Sequence, residues 1–440
     1  MAEISLPAGF RFGTSTASYQ IEGAVDEDGR GPSIWDSYTA EPGRIKDGSS
    51  GAVACDHYHR YAEDIALMGR LGVDGYRFSI SWPRIQPTGS GVVEPRGLDF
   101  YDRLVDGLVD AGIAPMATLY HWDLPQALED GGGWLSRDTA ERFAEYAAIV
   151  VERLGDRVES WIPINEPNVA AFLGYALGMN APGRTLGFDA LPVAHHLNLA
   201  HGLGAQALRA GGARTVGCAT NHAPILAGSE DQADVEAAGF FDLIWNRLFS
   251  EPMLAGHYPE ALADAFPVED LALIHQPLDF YGVNYYMPMQ IGAAGEGADL
   301  PFEIQDLAGD HPRTGFGWPV VPEGLRDFLT DLARRHPSLP PVRITENGCS
   351  FPDEPVDGKI EDQGRTDYLQ GHLGAVAEAI AAGVDVEGYY CWSLLDNFEW
   401  DEGYTQRFGL VHVDYDTLVR TPKASFDWYA DFIRRHRSHA

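Results

Sequence analysis

Two glutamates 180 residues apart stand in matching surroundings: Glu166 in Ile164-Asn165-Glu166-Pro167 and Glu346 in Ile344-Thr345-Glu346-Asn347-Gly348. Each closes a short run rich in β-branched residues, has an amide beside it and is followed by a turn residue. A strand end of this kind is a rigid mount that aims a carboxylate into a cleft. Two such acids fit cleavage of a glycosidic bond, in which one carboxylic acid protonates the leaving oxygen while an ionised carboxylate faces the anomeric carbon. Taken singly, either motif reads more simply as a capping or turn glutamate, so the elements that position the two decide between the readings.

Those elements repeat. Short β-rich runs at 9–17, 73–79, 114–120, 158–165, 215–221, 279–285, 342–346 and 386–392 alternate with amphipathic helical segments. Tyr58, Tyr61, Ile65 and Met68 share one helical face, as do Phe100, Leu104 and Leu108, then Phe143, Ala147, Val150 and Leu154, and finally Leu369, Leu373, Val376 and Ile380. Eight strand–helix units with no Pro/Gly/Ser linker predict an α/β fold, one closed (β/α)8 TIM barrel spanning 1–440 with loop insertions at the C-terminal face of its strands. The length of 440 residues exceeds a usual single core but suits such a barrel. The alternative is an open doubly wound sheet, yet no G-x-G-x-x-G fingerprint follows the first strand. In a barrel, Glu166 and Glu346 close the fourth and seventh strands and open into the same bowl.

Composition narrows the partners. With 65 acidic against 31 basic residues the formal charge is -34, which argues against nucleic-acid backbones and anionic membrane surfaces and favours a small neutral molecule. Three lysines, Lys46, Lys359 and Lys423, lie outside any apolar run that would depress their pKa, so Schiff-base chemistry is not expected. Cys55, Cys218, Cys349 and Cys391 are widely spaced and read as reduced, buried thiols. No metal-ligand spacing occurs among the 15 histidines, and neither metal nor cofactor is expected. The start Met1-Ala2-Glu3-Ile4-Ser5-Leu6-Pro7 has no basic, apolar export pattern, which predicts a cytoplasmic site. The oligomeric state stays open.

Six ordered segments then carry a resemblance across nearly the whole chain. They are Phe10-Arg11-Phe12-Gly13 with its continuation to Ala24, Tyr76-Arg77-Phe78-Ser79-Ile80-Ser81-Trp82-Pro83-Arg84, Tyr120-His121-Trp122-Asp123-Leu124-Pro125, the Asn165-Glu166-Pro167 and Thr345-Glu346-Asn347-Gly348 motifs, and Trp392-Ser393-Leu394-Leu395-Asp396-Asn397-Phe398-Glu399-Trp400. The chain resembles glycoside hydrolase family 1, the β-glucosidase and β-galactosidase group. The resemblance implies Glu346 as nucleophile and Glu166 as general acid/base of a retaining β-glycosidase, most simply a β-glucosidase active in polysaccharide and cellulose breakdown. Retention requires carboxyl groups about 5 to 5.5 Å apart, whereas inversion leaves roughly 6.5 to 9.5 Å for a water. It further implies Arg77 and Tyr286 as partners of the nucleophile and Gln20, His121, Asn165, Glu399 and Trp400 as glycone contacts. Trp392 becomes the platform under the sugar, joined to Ser393 by a cis peptide, and Trp318 an aglycone-side residue.

Two departures stand out. Where the family reads W-x-T-x-N-E-P this chain has Pro163, which cannot donate to a central strand ladder, so a bulge is expected there. Asn180 occupies a position at the aglycone mouth where many members carry histidine. Two other classes compete: a catalytically silent sugar-binding barrel, which should lack one carboxylate, and a carboxylate–metal hydrolase, for which Asp56, His57 and His59 are the nearest cluster. A transglycosidase is a variant of the same chemistry.

Overall fold

Parallel pairing runs unbroken around a ring. In the computed structural model, which describes residues 4–295, 297–298 and 300–439, eight strands close into a barrel. They are β1 (Arg11–Ser15), β2 (Gly75–Ser79), β3 (Ala114–Tyr120), β4 (Ser160–Ile164), β5 (Thr215–His222), β6 (Phe280–Tyr285), β7 (Val342–Asn347) and β8 (Val386–Trp392). Each pairs with its sequence neighbours, and β1 closes the ring against β8 in the register Arg11↔Gly388 to Ser15↔Trp392. The eight expected runs all become strands, and an open sheet is excluded. Residues 1–3 of the chain start, on which the export reading drew, lie outside the described residues.

Helices clothe the barrel, α1 (His57–Leu71), α2 (Pro95–Asp110), α3 (Arg137–Leu154), α4 (Leu191–Ala210), α6 (Pro322–Arg335), α7 (Gln363–Ala381) and α8 (Ala424–His439), while α5 (Gln232–Asp242) packs on the outer strands Ile225–Ala227 and Met289–Ala293. The expected faces are inward. Phe100, Leu104 and Leu108 of α2 and Phe143, Ala147, Val150 and Leu154 of α3 are buried; Tyr61 and Ile380 sit at the margins of theirs, half-buried. Proline opens α2 with Glu94 accepting from the Arg96 N–H, which satisfies an otherwise orphaned donor. Inside the barrel the Tyr390 ring fills the space beside β1 and β2. A Cβ at Gly13 would come within 2.2 Å of that ring, so only glycine permits the approach.

The strand ends carry the insertions. Ile225–Ala227, Met289–Ala293 and Phe302–Gln305 form a three-stranded sheet outside the barrel, and Pro167–Val169 runs into a wider, π-type turn over Ala170–Ala176. All four cysteines are free and buried. Among the described residues no helix is long and apolar enough to cross a membrane.

Candidate active site

Pro163 breaks β4 as its chemistry requires. On the β3 side the register is even, Thr118↔Ile162 and Tyr120↔Ile164. On the β5 side pairing stops after Trp161↔Val216 and resumes at Asn165↔Ala219, four residues of β4 against three of β5. This is the expected bulge, and it re-aims the next residue. Glu166 then takes φ +44° and ψ 63°, a left-handed conformation that costs a non-glycine residue energy and is held here by its N–H bond to the Ala219 carbonyl at 2.8 Å.

Glu166 is buried, and its Oε1 accepts from Asn284 Nδ2 at 2.7 Å and Asn221 Nδ2 at 3.1 Å. Burial first, and the charge of Glu346 second, push its carboxyl up to about 8, enough to keep a proton at neutral pH. Glu346 lies on β7 opposite Asn284 of β6. Its two oxygens act as acceptors, one from the Arg77 guanidinium and the other from the Tyr286 hydroxyl at 2.7 Å. Burial, reinforced by Glu346, holds the Tyr286 phenol well above its usual range, so it stays a donor. Two like residues thus have unlike surroundings, amides around one and a cation with a phenol around the other.

An amide mesh ties these parts together. Asn165 Oδ1 accepts from Arg77 and, at 3.1 Å, from Asn284, while its Nδ2 faces His121 Nε2 at 3.0 Å. With Nε2 accepting, the His121 proton belongs on Nδ1, an atom with no partner among the described residues. Burial, then the Arg77 charge, keeps this imidazole neutral by lowering its pKa well below the normal range. Gln20 donates to the Phe398 carbonyl at 2.8 Å, to Asn397 Oδ1 at 3.1 Å and to Glu399 Oε2 at 3.4 Å, which leaves Gln20 Oε1 also without a partner. A buried donor and a buried acceptor left open are what a polyhydroxylated ligand would satisfy. Burial, followed by Asp401, Glu346 and Glu166, raises the Glu399 carboxyl well above its ordinary value.

Aromatic rings frame this polar floor. Trp392 stacks on His121 with centroids 5.9 Å apart, and its peptide to Ser393 is cis. Gly348 lies so close to the Trp392 carbonyl that an added Cβ would sit 1.6 Å from its oxygen, which accounts for the glycine of the Thr345–Gly348 motif. Trp400 packs 4.6 Å from both Trp35 and Trp122, and the Trp122 indole N–H donates to the Asn165 carbonyl at 3.1 Å. Trp122 and Trp400, like Glu166, have positive φ.

A cavity of about 540 Å³ joins these groups. Nine of the twelve expected site residues line it: Glu166, Glu346, Tyr286, His121, Trp392, Glu399, Trp400, Trp318 and Asn180. Arg77, Gln20 and Asn165 stand behind the lining and reach it through the hydrogen bonds above. Four carboxylates, with Asp401 the fourth, and no lysine or arginine are among its lining residues. The Asp56, His57 and His59 cluster is elsewhere, at the start of α1, where His57 pairs with Asp64 at 2.7 Å and His59 with Asp56 at 2.6 Å. Sequence reading missed Asn221, Asn284 and Trp122, although all three sit inside the runs and segments that were singled out. It also missed the outer wall, where Trp245 stacks between Phe172 and Phe241 with centroids 6.2 and 5.7 Å away, and Phe302 meets Phe241 edge to face at 4.9 Å. Phe172 and Phe302 come from separate insertions and give no local signal, whereas Phe241, near the end of α5, stands four residues before Trp245, a helical spacing that could have paired the two.

The chain matches the family profile described as Glycosyl hydrolase family 1 over residues 2–438. It is 48% identical to the thermostable β-glucosidase B of Thermobispora bispora, over 99% of this chain and 92% of that protein. Among solved structures it is similar to the psychrophilic β-glucosidase of Micrococcus antarcticus, with a TM-score of 0.94 and 46% identity over 98% of each chain. It is also similar to the β-glucosidase of Thermotoga maritima in complex with glucoimidazole, with a TM-score of 0.94 and 42% identity over 99% of this chain and 100% of that one. Barrel, strand-end carboxylates and near full-length kinship agree, and the chain belongs to glycosyl hydrolase family 1.

Proposed function

We propose that the chain is a retaining β-glucosidase, one catalytic unit over 1–440, that releases terminal non-reducing β-D-glucosyl residues by double displacement. The observation that carries this is the contrast between the two glutamates, Glu346 held as a double acceptor by Arg77 and Tyr286, and Glu166 raised to about 8. In the first step a Glu346 oxygen bonds to the anomeric carbon as the glycosidic C–O bond breaks, and Glu166 gives its proton to the departing oxygen. Esterification removes the Glu346 charge, so the Glu166 pKa falls and the same group accepts a proton from water as that water attacks the anomeric carbon and Glu346 departs. Tyr286 and Arg77 take up the charge that returns to Glu346.

Glycone binding follows from the open hydrogen-bonding atoms. His121 Nδ1 donates to a sugar hydroxyl, Gln20 Oε1 accepts from one, Asn165 fixes the mesh, and Glu399 meets the 6-hydroxyl. Trp392 supplies an apolar face beneath the ring, with Trp400 beside it. A lining without a cation favours neutral sugars over 6-phosphates. At the mouth Trp318, 4.3 Å from Phe316, and Asn180 are the aglycone contacts, and the ring-lined wall beyond them favours apolar aglycones. Glucosides from cellulose fall within this reading as neutral substrates with fewer contacts at the mouth, and we place the activity in the cytoplasm.

A panel of chromogenic glycosides varying sugar and anomer tests the activity. Glu346→Ala tests the mechanism: hydrolysis should be lost with folding intact, and azide should restore cleavage of an activated β-glucoside to give the α-azide. Wild-type turnover in that variant would remove Glu346 from its role.

A further inference from the structure

Asp396 opens the segment Asp396-Asn397-Phe398-Glu399-Trp400 that crosses the cavity floor, yet its own carboxylate faces away from the sugar site into a buried ion network. Oδ1 accepts from Lys423 Nζ at 2.7 Å and from the Gly409 N–H at 2.9 Å, and Oδ2 accepts from Arg407 at 2.8 Å. Lys423 also donates to Asp353, which Arg365 bridges to Asp362, so three cations meet three carboxylates. Sequence reading placed no lysine where its pKa would fall. Lys423 corrects that: its side chain is fully buried, and burial first and Arg365 second lower its pKa. Thr421-Pro422-Lys423-Ala424-Ser425 has no apolar run to announce this, because the burial comes from segments distant in sequence.

Buried ion networks are poor stabilisers, since desolvating the charges offsets most of their attraction, but they fix geometry where each oxygen has an assigned donor. Here the fixed geometry leads to the glycone. Asn397, next to Asp396, accepts from Gln20 at 3.1 Å and is itself braced on Ser393 Oγ at 3.1 Å, and Gln20 reaches Glu399. We propose that Lys423, which is not among the residues lining the cavity, is a positioning residue for glycone recognition, setting through Asp396, Asn397 and Gln20 where Glu399 meets the sugar. The inference rests on the reading of Glu399 as the partner of the 6-hydroxyl.

The test compares a 4-nitrophenyl β-glucoside with its 6-deoxy analogue. Lys423→Met should lower kcat/KM for the glucoside by about tenfold or more, mainly through KM, and for the 6-deoxy analogue by less than about threefold, because only the first needs Glu399 in place. Lys423→Arg should restore part of the difference. A purely structural role would lower both substrates alike, and an unchanged ratio overturns the proposal. Arg407→Gln reads the same ratio from the solvent-facing side of the network and decides the matter if Lys423→Met does not fold. A wild type that does not distinguish the two sugars refutes the Glu399 reading itself, whereas a discriminating wild type with indifferent variants refutes only the role of Lys423.

Discussion

Glu166→Gln should make the protein more stable in alkaline buffer while removing its proton donor. In the wild type, burial and the neighbouring Glu346 raise the Glu166 carboxyl from 4.5 to about 8. Between those values the folded chain holds a proton that the unfolded chain has released. Stability is therefore undiminished below 4.5, falls as pH rises through the window to about 8, and stays at the lower level above it. At about 1.4 kcal/mol per pH unit, the change from pH 5 to pH 9 is on the order of 4 kcal/mol. Glutamine has no such dependence. With roughly 2.1 cal/mol/K of unfolding entropy per residue, a chain of 440 residues converts this to a shift of about 4 °C in Tm. Scanning calorimetry of both proteins from pH 5 to pH 9, at one scan rate because proteins of this size often unfold irreversibly, measures the gap. It should widen steadily in favour of the variant and level off near pH 8 to 9. Parallel curves would refute a raised Glu166 pKa and, with it, the assignment of the proton.

Wild-type kcat/KM should fall as pH rises past about 8, when the free enzyme loses the Glu166 proton; a plateau to pH 10 on an unactivated glucoside would contradict this. Glu166→Gln should slow substrates with alkyl leaving groups by about 10²- to 10⁴-fold and activated dinitrophenyl glucosides far less, which a leaving-group series measures; equal losses would count against the acid role. Glu399→Ala should reduce kcat/KM on the β-glucoside by about ten- to a hundredfold, and wild-type enzyme should prefer that glucoside to its 6-phosphate; a preference for the phosphate would overturn the glycone assignment. Along methyl, butyl, hexyl and octyl β-glucosides, whose leaving groups are nearly alike, kcat/KM should climb by up to about fourfold per methylene, and Phe241→Ala should flatten the climb; a flat wild-type series would mean that the ring-lined wall does not hold the aglycone.

Most of the frame was legible because periodicity and strand-end placement are local signals. All eight strands were found, with ends displaced by up to two residues at β1, β2 and β4 and by one at β5, β6 and β7, and Pro163 announced its bulge because a missing N–H has only a few structural outcomes. The three-stranded sheet beyond the barrel was not foreseen, since its short strands are half-exposed and have no alternating pattern. Why the Glu166 carboxyl is raised was not legible either: the strand ends pair it with Glu346, but the larger cause is burial, which only the folded surroundings supply. Asn221 and Asn284 escaped for a related reason, because an amide's partner is set by three strands meeting and not by its neighbours in sequence.

Closure of the barrel through β1 and β8 also sets a schedule for synthesis. Thr14 and the Cys391 carbonyl it contacts are 377 residues apart, so at about 5 to 20 residues per second β1 waits on the order of 20 to 75 s after leaving the ribosome before its second neighbour exists. Throughout that interval the nascent sheet has two free edges, each able to recruit a strand from another chain. The last strand and the loop after it also bring Trp392, Glu399 and Trp400, so the bowl lacks its aromatic platform and third glutamate until translation is nearly complete. A chain released early would carry both catalytic glutamates without the platform that presses a sugar against them.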